Sequence, residues 1–200
     1  MNKINPDDQI IQRAQKGDPI AQGLLVKSWY KRVFNYSLRI LGDYDAAMEV
    51  SQQTFITVWL KLPALKDAAK FQTWLYTILH NHCLGERRKT TNRRYESINS
   101  SSEAKGDFRA DYISPSGDPE SLMMDQELRL CLEKGVMELP EEQRSVLIMK
   151  EFEGLKFREI AEILGESENT VKSRLYYAFK HLRKYLNKMN INQNSFGYGE

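Results

Sequence analysis

Residues 157–175 read FREIAEILGESENTVKSRL, and the reading of the whole chain turns on this stretch. Ala161 stands four residues before Gly165, and Val171 stands six after it. Two helices that cross closely need a small residue at the crossing and a glycine free to take positive φ in the turn. They also need a branched apolar residue to pack the second helix on the first. The spacing therefore predicts a helix-turn-helix. Ser167 is placed to cap the second helix, and Glu166 and Glu168 suit its positive end. With Val171 and Leu175 inward, Asn169, Thr170, Lys172, Ser173, Tyr176 and Tyr177 face outward. That set mixes hydrogen-bonding and cationic groups able to reach base edges and phosphates.

Net charge is only +2 in 200 residues, so the total says nothing about a polyanionic partner. The distribution does. Residues 168–188 carry Lys172, Arg174, Lys180, Arg183, Lys184 and Lys188 against the single acid Glu168. Residues 103–133 carry eight acids against three bases. This separation leaves a basic stripe of the kind that phosphate binding requires. A basic amphipathic helix alone also describes a solvated face; the Ala-Gly-Val spacing moves the reading toward duplex DNA.

Upstream of the stretch, Met124, Leu128, Cys131, Leu132, Val136 and Leu139 mark a helix that Pro140 ends. EEQRSVLIMKEFEG follows as a short helix closing at Gly154. From Pro6 to about Arg88 the pattern is again helical. Asp18 with Pro19 opens one helix, Gly42 stops it, and Asp43 caps the next, whose buried stripe is Ala47, Val50, Thr54, Val58 and Leu62. Pro63 ends that helix, and another runs from Phe71 to about Arg88. Residues 89–122 are rich in Ser, Asn, Asp, Gly and Pro and hold no sustained apolar period, which reads as a tether. The expected fold is all-α: two small helical bundles joined by a flexible linker, the C-terminal one containing a helix-turn-helix. The divisions fall at 1–88, 89–122 (linker), 123–186 and 187–200 (polar tail).

Several classes are excluded. Cys83 and Cys131 lie far apart in a sequence without a secretory leader, so reduced thiols and a cytoplasmic location are expected. No apolar run has the length of a membrane span. HNHC at 80–83 places His80, His82 and Cys83 at spacings that point them in different directions on a helix, so no metal is expected. No phosphate-cradling glycine pattern or nucleophile motif occurs; neither an enzyme activity, a cofactor nor a small-molecule substrate is expected.

GDYDAAMEVSQQTFITVWLKL followed by FQTWLYTILHNHCLGERRK resembles region 2 of bacterial sigma factors, especially the extracytoplasmic-function (ECF) group of the sigma-70 family. ELPEEQRSVLIMKEFEGLKFREIAEILGESENTVKSRLYYAFKHLRKYL is similar to region 4 of the same group. The resemblance implies an alternative sigma factor that binds core RNA polymerase and directs it to promoter DNA. It further implies that residues 1–88 grip the polymerase clamp and recognise and melt the minus-ten element, while 123–186 read the minus-thirty-five element. By match to the family, Glu49, Gln52, Gln53, Ile56 and Trp59 form the polymerase-binding face. The loop residues Lys66, Asp67, Ala68, Ala69, Lys70 and Phe71, with Asn81, face the non-template single strand. Arg87 and Arg88, in the basic run after Gly85, neutralise its backbone. Asn169, Thr170, Lys172, Ser173, Arg174, Tyr176, Tyr177 and Lys180 contact the duplex, with Lys172, Ser173 and Tyr176 at the base-reading positions. The family often carries an aspartate near Gly85, which this sequence lacks. An anti-sigma factor is the expected regulatory partner. The rival readings are a stand-alone helix-turn-helix regulator, which would normally dimerise on a palindrome, and an adaptor of two helical bundles whose basic helix binds acidic partners; against the regulator, no dimerisation heptad is present and the loop at 64–71 would go unexplained.

Overall fold

The structure, a computed structural model, describes residues 6–97 and 119–189. Most of the linker at 89–122 and of the tail from 187 lies outside the described residues, as does the side chain of Met124. The helices are α1 (Pro6–Gln15), α2 (Pro19–Leu41), α3 (Tyr44–Lys61), α4 (Phe71–Ser97), α5 (Pro119–Met137), α6 (Glu141–Leu147), α7 (Phe157–Leu164) and α8 (Glu168–Lys188). Two single 3-10 turns, Leu62–Ala64 and Ala68–Lys70, lie between α3 and α4, and a π-helical turn, Ile148–Phe152, prolongs α6. Among the described residues no strand occurs. The chain divides into two compact units, one holding α1–α4, the other α5, α6, α8 and the first part of α7.

The first unit is held by α2, α3 and α4. Asp18 caps α2 by accepting from the N–H of Ile20 at 2.9 Å and Ala21 at 3.2 Å, with Pro19 at the first helical position. Asp43 caps α3 by accepting from the N–H of Ala46 at 2.7 Å. These carboxylates satisfy donors that the helices leave open. On α3 the stripe Ala47, Val50, Thr54 and Val58 is buried as the sequence predicts, and Ser51 and Phe55 join it. Both hydroxyls of that stripe return to the backbone one turn earlier, Ser51 to Ala47 and Thr54 to Val50, so they enter the core already bonded. α4 continues through Ser97, past the sequence-based end near Arg88. Helix propensity favours this, since ERRKTTNRR contains neither glycine nor proline.

The second unit buries Val136, Leu139, Val146, Ile148, Met149, Leu155 and Ile160 with the inner stripe of α8. Arg144, itself buried, donates to the carbonyls of Met137 and Leu139 and so closes the end of α5. Gly135 lets α5 and α8 approach, because a Cβ there would stand 2.8 Å from Cδ1 of Tyr185. α7 ends at Gly165, which takes φ 67. The N–H of Glu166 then reaches back to the carbonyl of Ala161 at 3.0 Å. That bond and the left-handed glycine are the marks of a Schellman closure, and a side chain at Gly165 would cost about 1–2 kcal/mol.

HNHC on α4 sends its side chains to three separate partners. His80 Nδ1 lies 3.0 Å from the Tyr36 hydroxyl, His82 Nε2 lies 3.0 Å from the Thr57 hydroxyl, and Cys83 is buried beside Ser37. Burial pushes the Cys83 thiol up to about 12 and the His80 imidazole down to about 4, from an ordinary 6.5. His82 is lowered too, by burial first and then by Lys61 and Lys89. A neutral imidazole in the folded state binds its proton less readily than in the unfolded chain. Its contribution is therefore complete above pH 6.5 and is lost as pH falls toward 4. At about pH 5 His80 alone accounts for about 2 kcal/mol. Urea unfolding should show the midpoint falling between about pH 7.5 and pH 5, and His80→Gln should flatten that dependence; an unchanged slope in the variant would remove His80 as its cause.

Candidate nucleic-acid and polymerase interfaces

The outward face of α8 follows from its cap and its core stripe. The hydroxyl of Ser167 accepts from the N–H of Thr170 at 3.0 Å and lies 2.8 Å from the Thr170 hydroxyl. Val171, Leu175, Ala178 and Leu182 are buried at steps of three and four, which sets the rotation of the helix about its axis. Asn169, Lys172, Ser173, Tyr176, Tyr177 and Lys180 are thereby left exposed, Tyr176 at 66%. Tyr176 and Tyr177 meet edge-to-face with centroids 5.5 Å apart. Thr170 is half-buried.

Arg174 differs from the rest of that set. Its guanidinium lies 2.9 Å from Glu166 and 3.0 Å from Glu142, and its side chain is only 19% exposed. It ties the turn and α6 to α8, and a contact to DNA would require those ion pairs to open. The resemblance places both Arg174 and Lys172 among the duplex contacts, with Lys172 at a base-reading position; only the fold brings Glu142 to Arg174.

In the first unit, Lys66, Asp67, Ala69 and Lys70 are exposed between α3 and α4, and Ala68 is half-buried. Asp67 accepts from the N–H of Ala69 at 3.0 Å and thus shapes the second 3-10 turn. Phe71 departs from its expected place. It is 1% exposed, with its ring 5.5 Å from Trp29 and 6.0 Å from Trp74 by centroid. Its ring anchors the base of the loop and offers no face to a captured base. Trp74 is half-buried, Asn81 and Arg88 are exposed, and these three recur every seven residues along one side of α4. Arg87 is half-buried on a different side.

On α3, Glu49, Gln52 and Ile56 are exposed and Gln53 and Trp59 half-buried. Gln53 donates to Glu49 at 2.9 Å, and Trp59 leans on Phe55 with centroids 6.4 Å apart. Ile56 is 58% exposed, and Leu60, one turn further on, is 78% exposed. Leu60 was absent from the expected face, although its four-residue spacing from Ile56 is a legible helical signal.

A second omission left no signal. The amide of Gln15, at the end of α1, donates to the carbonyl of Leu62 at 3.1 Å and of Leu65 at 2.6 Å. A glutamine forty-seven residues from its acceptor gives no local pattern. It nonetheless braces the start of the 64–71 loop from beneath.

Comparison with known proteins bears on both units. Sigma-70 region 2 matches residues 25–93 and Sigma-70 region 4 matches residues 129–182, together more than half of the chain. The chain belongs to the sigma-70 family. Within the family it belongs to the ECF group and is an alternative sigma factor. It is 29% identical over 181 residues to the RNA polymerase sigma-H factor of Pseudomonas aeruginosa, covering 90% of this chain and 93% of that one. It is also 29% identical over 182 residues to the ECF RNA polymerase sigma-E factor of Escherichia coli K12, covering 89% of this chain and 93% of the relative. Two solved structures share the fold. The sigma factor RpoE of Bartonella quintana, in complex with the anti-sigma factor NepR, aligns with TM-score 0.66 at 22% identity over 82% of this chain and 96% of its own. CnrH, in complex with the cytosolic domain of CnrY, aligns with TM-score 0.64 at 21% identity over 92% of this chain and 99% of its own.

The brace at Gln15 gives a local expectation. Gln15→Ala removes both bonds to the loop while leaving the exposed loop side chains untouched. Hydrogen exchange should then quicken at the amides of residues 65–70 by about fivefold to tenfold, the equivalent of about 1–1.4 kcal/mol of local opening, with little change in α4. Equal protection in wild type and variant would show that the 3-10 turns hold the loop by themselves.

Proposed function

We propose that the exposed face of α8 reads promoter duplex at the minus-thirty-five element, with Lys172, Ser173 and Tyr176 toward the bases. Asn169, Thr170, Tyr177 and Lys180 serve phosphate or base edges, and Arg174 braces the turn. The observation that carries this reading is the rotation of α8: its buried stripe leaves Asn169, Lys172, Ser173, Tyr176 and Tyr177 facing outward beside a run of lysines and arginines. A major groove admits one helix, and outward hydrogen-bonding groups near that helix's N-terminus meet base edges first.

In the first unit, the loop of Lys66, Asp67, Ala68, Ala69 and Lys70 captures an unpaired base of the non-template strand at the minus-ten element. Phe71 supports that loop as part of the core, and Asn81 and Arg88 continue the path along α4. Arg87 adds charge beside it. Glu49, Gln52, Gln53, Ile56 and Trp59, with Leu60, form the face for the polymerase clamp. An exposed Ile56 and Leu60 rimmed by polar residues are what a protein interface would cover. Residues 1–88 and 123–186 act as the two binding modules, joined by 89–122, of which 89–97 continue α4 and 119–122 open α5, with 187–200 as tail.

The protein works in the cytoplasm, and among its described residues no helix is long and apolar enough to cross a membrane. It performs no covalent chemistry; binding unpaired bases shifts the promoter from closed to open, and core RNA polymerase makes the bonds. Its regulatory partner is an anti-sigma factor, in line with the complex in which the Bartonella quintana relative was solved.

Run-off transcription with purified core polymerase on a promoter library tests the whole reading. Transcripts should start only when the protein is added. On a promoter so recovered, Lys172→Ala should weaken upstream-element binding by about tenfold, within the about 1–3 kcal/mol of a good base contact, while core binding is retained. Leu60→Asp should do the reverse, losing core binding with the fold intact. Loss of core binding by Lys172→Ala would overturn the division of labour between the two units.

A further inference from the structure

Phe157 opens α7 and is half-buried, and two ammonium groups lie over its ring. Lys150 Nζ stands 4.9 Å from the ring centroid and Lys172 Nζ 5.6 Å. Both distances are inside the range at which an aromatic face attracts a cation. The two lysines are not equivalent. Lys150 also donates to the carbonyl of Leu155 at 3.2 Å, so it is held within the turn that follows α6. Among the described residues, Lys172 pairs with one carboxylate, a long contact to Glu168 at 4.0 Å with both side chains about half exposed. Such a surface pair restrains a lysine weakly. The ring of Phe157 is thus a second constraint on where the Lys172 ammonium sits, and it comes from a different helix.

A lysine stem has four rotatable bonds, and fixing it on binding costs rotamer freedom when nothing holds it beforehand. A ring that draws the ammonium to one place in the free protein removes part of that cost in advance. We infer that Phe157 is a positioning residue for duplex recognition: its ring aims Lys172 from the first helix of the helix-turn-helix, although Phe157 itself need touch no DNA. The inference rests on the proposed reading of duplex by α8. It adds a specificity determinant on α7, a helix that contributed no residue to the contact set.

The test uses the full-length protein with core polymerase and a fluorescent promoter fragment recovered by run-off selection, together with variants Phe157→Leu, Phe157→Tyr, Lys172→Met and the double variant Phe157→Leu/Lys172→Met. Thermal unfolding of each variant reports packing separately. An exposed cation–π contact is worth about 0.5–1 kcal/mol, so Phe157→Leu should weaken upstream-element binding by about twofold to fivefold. Phe157→Tyr should bind like the wild type, because its face carries the same quadrupole. In the Lys172→Met background, Phe157→Leu should bring no further loss. In the free protein, the Lys172 Cε protons should be shifted upfield by the ring and lose that shift in Phe157→Leu. Equal losses from Phe157→Leu in both backgrounds would reduce Phe157 to packing and overturn the inference. So would full affinity in Phe157→Leu alongside a weakened Lys172→Met. If Lys172→Met binds the fragment like the wild type, the reading of duplex by Lys172 falls and the inference falls with it, an outcome distinct from the other two.

Discussion

A helix in a small bundle has one free rotation about its axis, and burial of an apolar stripe removes it. Val171, Leu175, Ala178 and Leu182 do this for α8; Ala47, Val50, Thr54 and Val58 do it for α3. Every outward residue of the proposed α8 and α3 faces takes its direction from one of those stripes. The stripes are narrow and built partly from Ala, Thr and Val, residues that let neighbouring helices come close. A polar substitution in either stripe would cost more than a local contact, because the whole opposite face would lose its definition.

Helix ends supply the second constraint. Asp18, Asp43, Asp67 and Ser167 each accept a backbone N–H at a helix or 3-10 start. Caps of this kind are worth about 1 kcal/mol apiece and fix where each helix begins. At α8 the cap decides which residues belong to the first turn and so lie nearest the presented end of the helix. At the 64–71 loop a capping aspartate, a buried Phe71 ring and the amide of Gln15 act on one short segment. A loop proposed to capture a base gains from being shaped before the base arrives, since ordering it afterwards would subtract from the binding energy.

Charge placement in the second unit separates structural from exposed cations. Arg174 is spent on Glu142 and Glu166, while Lys172 keeps half its side chain in solvent and rests near an aromatic ring. Arginine suits the first task, with a planar fork that can serve two carboxylates at once. Lysine suits the second as a point charge on a flexible stem. The same economy appears in α4, where Glu86 is buried and pairs with Lys89 at 3.0 Å, while Arg88 points outward.

The sequence by itself determined the helix-turn-helix, through the spacing of Ala161, Gly165 and Val171, and the inner and outer faces of α3 and α8, through their periods. It also named the caps at Asp18, Asp43 and Ser167. These are local features: a few neighbouring residues and the geometry of one helix are enough to state them. It grouped Phe71 with the strand-facing loop, whereas the fold sets its ring, at the start of α4, against Trp29 and Trp74. It also ended α4 too early, because polar composition was read as linker where helix-forming residues continued. The tertiary structure alone decided which cation is braced by two carboxylates and which stays half exposed, that Gln15 supports the loop, and that the Phe157 ring lies near the Lys172 ammonium. Each of those depends on side chains brought together from separate helices, and long-range packing leaves no periodic trace in the order of residues along the chain.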